Sequence, residues 1–205
     1  MPQPPEASRP RHPDFESSYT DNQPPWDIGR PQEVFQTLAA AGELRGRVLD
    51  AGCGTGEHTL MAAQLGLEAT GIDAAPTAIL LAQKKARERG IAARFVVGDA
   101  LHLESLGEQF DTVIDCGLFH VFNDEDRAAY LESLRAAIAP GGRYLMACFS
   151  DRQPGDWGPR RVTEAEIRAS FAEGWRIDSI APAHFQTRNV SDVEAWVAEI
   201  TRIAE

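Results

Sequence analysis

"RVLDAGCGTGEHTLMAAQLG", Arg47 to Gly66, reads as a short buried strand, a glycine-rich turn and a helix closed by Gly66. Glycines at Gly52, Gly54 and Gly56 let the chain turn tightly and let backbone pass close to a ligand where any Cβ would collide. Downstream, the same alternation repeats. "LEATGID" is a second strand, and "APTAILLAQKKARERG" a second helix with Pro76 near its start and Gly90 past its end. "ARFVVGDA" and "FDTVIDCG" make the third and fourth strands.

Asn123 to Asp126 then place a capping residue and acids ahead of Tyr130, Leu131, Leu134 and Ile138, the pattern of a helix start and its buried face. "PGG" at Pro140 to Gly142 stops that helix, and "RYLMACFS" is the fifth strand. A capping box of Thr163 with Glu166 opens "TEAEIRASFAEG", which Gly174 ends. "WRIDSIAPAHFQT" and "VEAWVAEITRI" read as a closing antiparallel hairpin, with a helix as the alternative for the second. Upstream, Pro31 opens a helix carrying Val34, Phe35, Leu38 and Ala41. Strands alternating with helices specify an α/β fold, a doubly wound and mostly parallel sheet with ligands at the carboxyl ends of its strands. The chain shows no internal repeat.

The 205 residues suit one domain with a sizeable core. Residues 1–18 are rich in Pro, Arg, Glu and Ser and are expected to be a mobile tail, leaving 19–205 as a single domain that begins with a lid segment and helix over 19–43. A net charge of −11 without a long Lys or Arg run argues against nucleic acid. No apolar stretch is long enough for a membrane span, and the start lacks a signal peptide's apolar centre, so a cytoplasmic location is expected. Cys53, Cys116 and Cys148 have no metal-ligand spacing and are expected to be reduced and buried, with no metal site. A monomer and a weak homodimer are both left open.

Asp50 precedes the glycines, Asp73 ends the second strand and Asp99 ends the third. A carboxylate at Asp73 can accept hydrogen bonds from both ribose hydroxyls of an adenosine, and Asp99 lies within reach of an adenine amino group. A dinucleotide loop would need glycine at 57, where Glu57 stands, and no P-loop occurs. A pyrophosphate beside Asp50 and Glu57 would be repelled. Acids at that place suit a ligand with a cationic amino group.

These motifs resemble the class I S-adenosylmethionine-dependent methyltransferases. "LDAGCGTGEH", "GID", "GDALHL" and "LRAAIAPGGRYLM" match that family's successive motifs over about Leu44 to Phe149. The resemblance implies a Rossmann-like seven-stranded sheet and S-adenosylmethionine as cofactor. It also implies that the glycine-loop backbone with Asp50 holds the methionine part, Asp73 the ribose, and Asp99 with Ala100 the adenine, with Ala74 a further cofactor contact. Cys116 and Gly117 match the loop after strand four that borders the methionine end.

"PPWDIGRPQ" resembles the N-terminal element of the thiol, thiopurine and halide methyltransferase branch, and "DCGLFHVF" with "CFSD" resembles bacterial heterocyclic-toxin methyltransferases. The implied lid has Trp26 over the sulfonium or acceptor, Asp27 and Arg30 fixing it, and Gly29 allowing the bend. The implied acceptor is a small aromatic, heterocyclic or thiol-bearing molecule methylated on S, O or N. Phe119, His120, Phe122, Phe149, Trp157 and Arg160 are the expected acceptor-side residues, with His120 as candidate base. His58 and His102 are expected at the cofactor rim or in solvent, and His184 in the hairpin. A catalytically silent cofactor-binding protein acting through a partner, and a halide methyltransferase, remain alternatives.

Overall fold

The computed structural model describes residues 15–21, 24–190 and 192–204. Seven strands form one sheet in the order β3-β2-β1-β4-β5-β7-β6. They are β1 (Arg47–Ala51), β2 (Glu68–Asp73), β3 (Arg94–Val97), β4 (Phe110–Cys116), β5 (Ile138–Phe149), β6 (Trp175–Phe185) and β7 (Val193–Arg202). The helices are α1 (Phe15–Asp21), α2 (Glu33–Ala40), α3 (Glu57–Gln64), α4 (Pro76–Arg89), α5 (Asp124–Ala137) and α6 (Glu164–Ser170).

The first five strands pair in parallel, and only β7 runs antiparallel, between β5 and β6. The strand order turns back between β1 and β4, and in such sheets the carboxyl ends at that switch point are where ligands bind. The closing segment is therefore a strand, and the hairpin alternative holds.

Both sheet faces are covered. Tyr130, Leu134 and Ala137 of α5 and Ile167 of α6 share one core with Leu49, Val113 and Met146. Phe35 and Leu38 of α2 and Ala62 of α3 share the other with Val48, Ile114 and Leu145. Neighbouring residues of β1, β4 and β5 thus enter opposite cores, which is why these strands read as continuous apolar runs.

The caps expected from sequence are formed: Asn123 accepts from Asp126 N, and Thr163 and Glu166 close a reciprocal box. Gly90 ends α4 at φ +64°, a conformation open to glycine at little cost. Two boundaries differ from expectation. β5 starts at Ile138, so the PGG turn is an irregularity inside the strand opposite a register shift at Phe110/Thr112. α1 begins at Phe15, inside the stretch expected as tail, because Glu16 accepts hydrogen bonds from Thr77 N and Oγ1 at the start of α4. The rest of that tail, residues 1–14, lies outside the described residues.

Candidate functional site

The glycine loop sits at the β1–β4 switch point and is fixed from below. Asp50 is 1% exposed, and its Oδ2 accepts from Thr59 N at 3.0 Å and Thr59 Oγ1 at 2.7 Å, tying β1 to α3. Burial pushes this carboxyl up to about 7, against the opposing pull of the two Thr59 hydrogen bonds. Asp73 spans the next gap: Oδ2 accepts from Gly54 N and Oδ1 from Ala75 N, both at 2.8 Å. Burial raises its pKa too. Ala74 is exposed beside it. Asp99, also exposed, accepts from Leu101 N at 2.9 Å, while the Ala100 carbonyl accepts from Ser133 Oγ.

Close approach explains the glycines. A Cβ on Gly56 would lie 2.6 Å from the Phe95 ring, so that position serves helix–strand packing. A Cβ on Gly52 would press on Leu118 at 3.2 Å, and one on Gly54 would lie 2.8 Å from the Tyr19 hydroxyl. The loops after β1 and β4 are therefore in contact, and α1 lies on the glycine loop.

The segment from Trp26 to Gln32, expected as a lid, is latched at both ends. Asp27 Oδ2 accepts from Thr55 Oγ1 of the glycine loop at 2.9 Å, and Lys85 Nζ donates to the same Thr55 oxygen at 2.6 Å. Gly29 N donates to Asp27 Oδ1, and Gly29 itself takes φ +71° in open space. At the other end Gln32 and Gln186 exchange hydrogen bonds: Gln32 Nε2 donates to Gln186 O at 2.7 Å and Gln186 N to Gln32 Oε1 at 2.8 Å. Arg188 N donates to Pro25 O at 2.8 Å. The β6–β7 turn is thus clasped to the lid. Arg30 makes only a loose, exposed contact with Glu33 at 3.8 Å.

Trp26 does not itself cover the loop. It is 44% exposed, stands edge-on to Phe15 and Tyr19, and donates its indole N–H to the Tyr19 hydroxyl at 2.9 Å. Tyr19 is the residue against Gly54, and its own ionisation is pushed upward by burial and by Asp73.

On the acceptor side the expected residues separate into two groups. Phe119 and Phe122 are corrections: they are 0% and 4% exposed in the core under α5, Phe119 stacked on Phe171 and beneath the Arg127 guanidinium, Phe122 against Tyr130. A short 3-10 turn over Phe119–Val121 sends those rings inward and turns His120 to the other side. His120 meets Phe149 at 5.1 Å and Phe185 at 6.3 Å between ring centres, and Trp157 stands edge-on to Phe149 at 5.8 Å. The His120 ring also lies against Gly117, whose added Cβ would be 3.3 Å from Nε2.

His120 is not set up as a base. Phe149 N donates to its Nδ1 at 3.0 Å, so the neutral ring carries its proton on Nε2. Burial, with Arg161 and Arg127 nearby, lowers its pKa to about 3. Arg160 is likewise corrected: its guanidinium is bound by Asp124 and Glu166. His58 is buried and accepts from Gln32 N at 3.1 Å, a lid anchor rather than a rim residue. His102 is exposed and His184 lies in β6.

Residues 48–142 match the family model described as a methyltransferase domain. The chain is 40% identical over 82% of its length, and 79% of the relative's, to a 2-heptyl-1-hydroxyquinolin-4(1H)-one methyltransferase of Mycobacteroides abscessus. This chain belongs to the class I S-adenosylmethionine-dependent methyltransferases. A structure from work on conversion of a disulfide bond into a thioacetal group during echinomycin biosynthesis superposes on this methyltransferase with TM-score 0.83, at 39% identity over 92% of this chain and 91% of that one. The 1,6-didemethyltoxoflavin-N1-methyltransferase of Burkholderia thailandensis, solved with 1,6-didemethyltoxoflavin and S-adenosylhomocysteine, superposes with TM-score 0.75 at 25% identity, over 93% and 86%.

The residues of this methyltransferase fit its cofactor. Asp50, Asp73 and Asp99 at successive strand ends are acceptors, which suit ribose hydroxyls and an ammonium group and repel a phosphate. Sequence reasoning missed Tyr19, Gln32, Thr55 and Phe185, for which no local pattern stands out. It also missed Asp115, which did leave a signal as an acid inside an apolar strand. Asp115 is fully buried and accepts from Tyr130 Oη, Tyr144 Oη, Leu118 N and Phe119 N, which fixes the loop that carries Gly117 and His120.

Proposed function

We propose that this methyltransferase moves a methyl group to S, O or N of a small aromatic, heterocyclic or thiol-bearing acceptor. One observation carries the reading: His120, Phe149, Phe185 and Trp157 form an aromatic wall that begins at Gly117, beside the glycine loop. When bound, S-adenosylmethionine supplies an electrophilic methyl on a sulfonium, and displacement needs alignment and exclusion of water more than covalent help.

The chain's residues divide that work. The glycine-loop amides take the methionine part, with Cys116 and Gly117 bordering that end, Asp73 takes the ribose, Asp99 with Ala100 takes the adenine, and Ala74 is a further cofactor contact beside Asp73. Asp50 lies under the loop as a buried acid facing that end. Tyr19, with Trp26 outside it, closes the site, and the Asp27 and Gln32 contacts hold the closure in register. Phe149 and Trp157 take the acceptor ring.

The likeness to relatives named for quinolone and toxoflavin substrates supports a ring acceptor. The test is formation of S-adenosylhomocysteine from S-adenosylmethionine with a panel of thiols, thiopurines and hydroxyquinolones. Turnover on at least one class is expected. Tight cofactor binding with no turnover on any of them would favour the catalytically silent alternative.

A further inference from the structure

We infer that the acceptor enters this site already deprotonated, as a ring bearing an ionised hydroxyl or thiol, and that His120 holds the anion as a hydrogen-bond donor. The inference rests on the methyl-transfer reading and deepens it by naming the acceptor's charge state.

The first support is the tautomer. A backbone N–H can only donate to a nitrogen lone pair, so the Phe149 N contact excludes a proton on Nδ1 and leaves Nε2–H. Among the described residues Nε2 has no hydrogen-bond partner, and it lies against Gly117, in the loop that follows β4. A ring fixed this way offers a donor to the acceptor atom and has no lone pair with which to take its proton.

The second support is charge. Arg161 lies over the Phe149 and Trp157 rings, 5.4 and 5.7 Å from their centres. Among the described residues its guanidinium is held by carbonyls alone, those of Gln153, Gly155, Trp157 and Pro159. Carbonyls fix its position without cancelling its charge. The neighbouring Arg160 is the contrast, neutralised by two carboxylates. The groups that face His120 are Arg161 from the β5–α6 loop, Arg127 from α5, and the uncharged Phe149 and Phe185 from β5 and β6. Arg127 is partly offset by Glu166 at 3.5 Å.

A depression of about 390 Å³ opens one residue beyond Phe185, walled by Ile28, Arg30, Gln186, Thr187 and Arg188. In a chain of net charge −11, Arg30 and Arg188 line this depression, while Arg161 lies over the Phe149 and Trp157 rings. A guanidinium left without a carboxylate in so acidic a chain attracts anions. In the transfer step the acceptor lone pair forms the bond to the methyl carbon, the carbon–sulfur bond breaks, and its electron pair stays on sulfur. No proton moves in that step; it has already left to solvent.

The test uses the full chain, with S-adenosylmethionine saturating at every pH, and 4-nitrothiophenol, thiophenol and benzyl mercaptan, thiols that ionise at successively higher pH. The acid limb of kcat/KM should move with the acceptor, in wild type and in His120→Gln alike, since a glutamine can also donate. His120→Ala should lose about tenfold without moving the limb. A limb fixed at one pH for all three thiols would overturn the inference in favour of a protein base. A binding readout stands apart from turnover: with S-adenosylhomocysteine present, bound 4-nitrothiophenol should keep its thiolate colour below its solution midpoint, and less so in Arg161→Gln. Binding as the neutral thiol would also overturn it. Absence of turnover with thiolate binding intact would instead strike the methyl-transfer reading.

Discussion

Thr55 Oγ1 donates to Asp27 Oδ2 at 2.9 Å, joining the segment ahead of α2 directly to the glycine loop proposed to hold the cofactor. The threonine oxygen is held in turn by Lys85 Nζ, which also bonds the buried Glu57 carboxylate at 2.7 Å. The latch therefore rests on α4 and on the first turn of α3. Thr55→Val removes both contacts of the hydroxyl while keeping its shape. A hydrogen bond of this kind is worth about 0.5–1.5 kcal/mol net, so the cofactor dissociation constant should rise by up to about tenfold. Titration calorimetry with S-adenosylhomocysteine measures this, and unchanged affinity would show that the latch does not report on the cofactor loop.

Tyr19 and Trp26 form the other part of the closure. Trp26→Ala removes the indole that brackets Tyr19, and should raise the cofactor KM several-fold with little change in melting temperature, because Trp26 is 44% exposed. Tyr19→Ala should cost more, since Tyr19 is the ring against Gly54. Wild-type kinetics for both variants would remove the lid from the mechanism.

How far these features were legible in sequence follows the range of the contacts. The βαβ alternation, the caps at Asn123 and Thr163 and the turn at Gly90 are local, and they were read correctly. The lid motif was legible as a motif, but its covering residue was not: Tyr19 reaches Gly54 only through the path of α1, which residue spacing does not encode. Phe119 and Phe122 looked like pocket walls because they follow β4, yet a single 3-10 turn reverses which way they face. His120 looked like a base for want of the Phe149 N–H, a partner on another strand. Arg160 and Arg161 are identical in composition and adjacent, and only their partners separate them.

The buried acids make stability depend on pH in a stated direction. The folded-state pKa of Asp50 is raised from 3.8 to about 7, and that of Asp115 from 3.8 to about 6, in both cases by burial. A raised carboxyl binds its proton more tightly in the native state, so the stability it contributes is present below about pH 4 and is lost as pH rises through 6 to 7. Asp50→Asn, which can still accept from Thr59, should therefore melt higher than wild type at pH 8, by roughly 2 kcal/mol or about 4–8 °C. The difference should close toward pH 5. A constant difference across that range would mean Asp50 stays ionised in the fold. Cofactor affinity should run the other way, falling from pH 8 to 6 in wild type and staying flat in the variant, because an ionised acid favours a cationic ligand.

Asp115 supports the acceptor loop through hydrogen bonds that can be removed one at a time. Tyr144→Phe deletes the 2.6 Å contact to Oδ2 and leaves Tyr130, Leu118 N and Phe119 N in place. Hydrogen bonds to a charged group contribute about 1.5–3 kcal/mol, and Tyr144 is fully buried, so water cannot replace the lost donor. The contact favours the ionised carboxylate. Its loss is therefore felt in full at pH 8 and less at pH 5, where Asp115 carries a proton more of the time. Denaturant unfolding at both pH values should show the larger penalty at pH 8, and kinetics at pH 8 should show both the acceptor KM and the cofactor KM raised, because His120 on the acceptor side and Gly117 at the methionine end ride on the loop that Asp115 holds. An equal penalty at both pH values would assign the contact to a neutral carboxyl, and a cofactor KM that stays fixed while the acceptor KM rises would take Gly117 away from the cofactor.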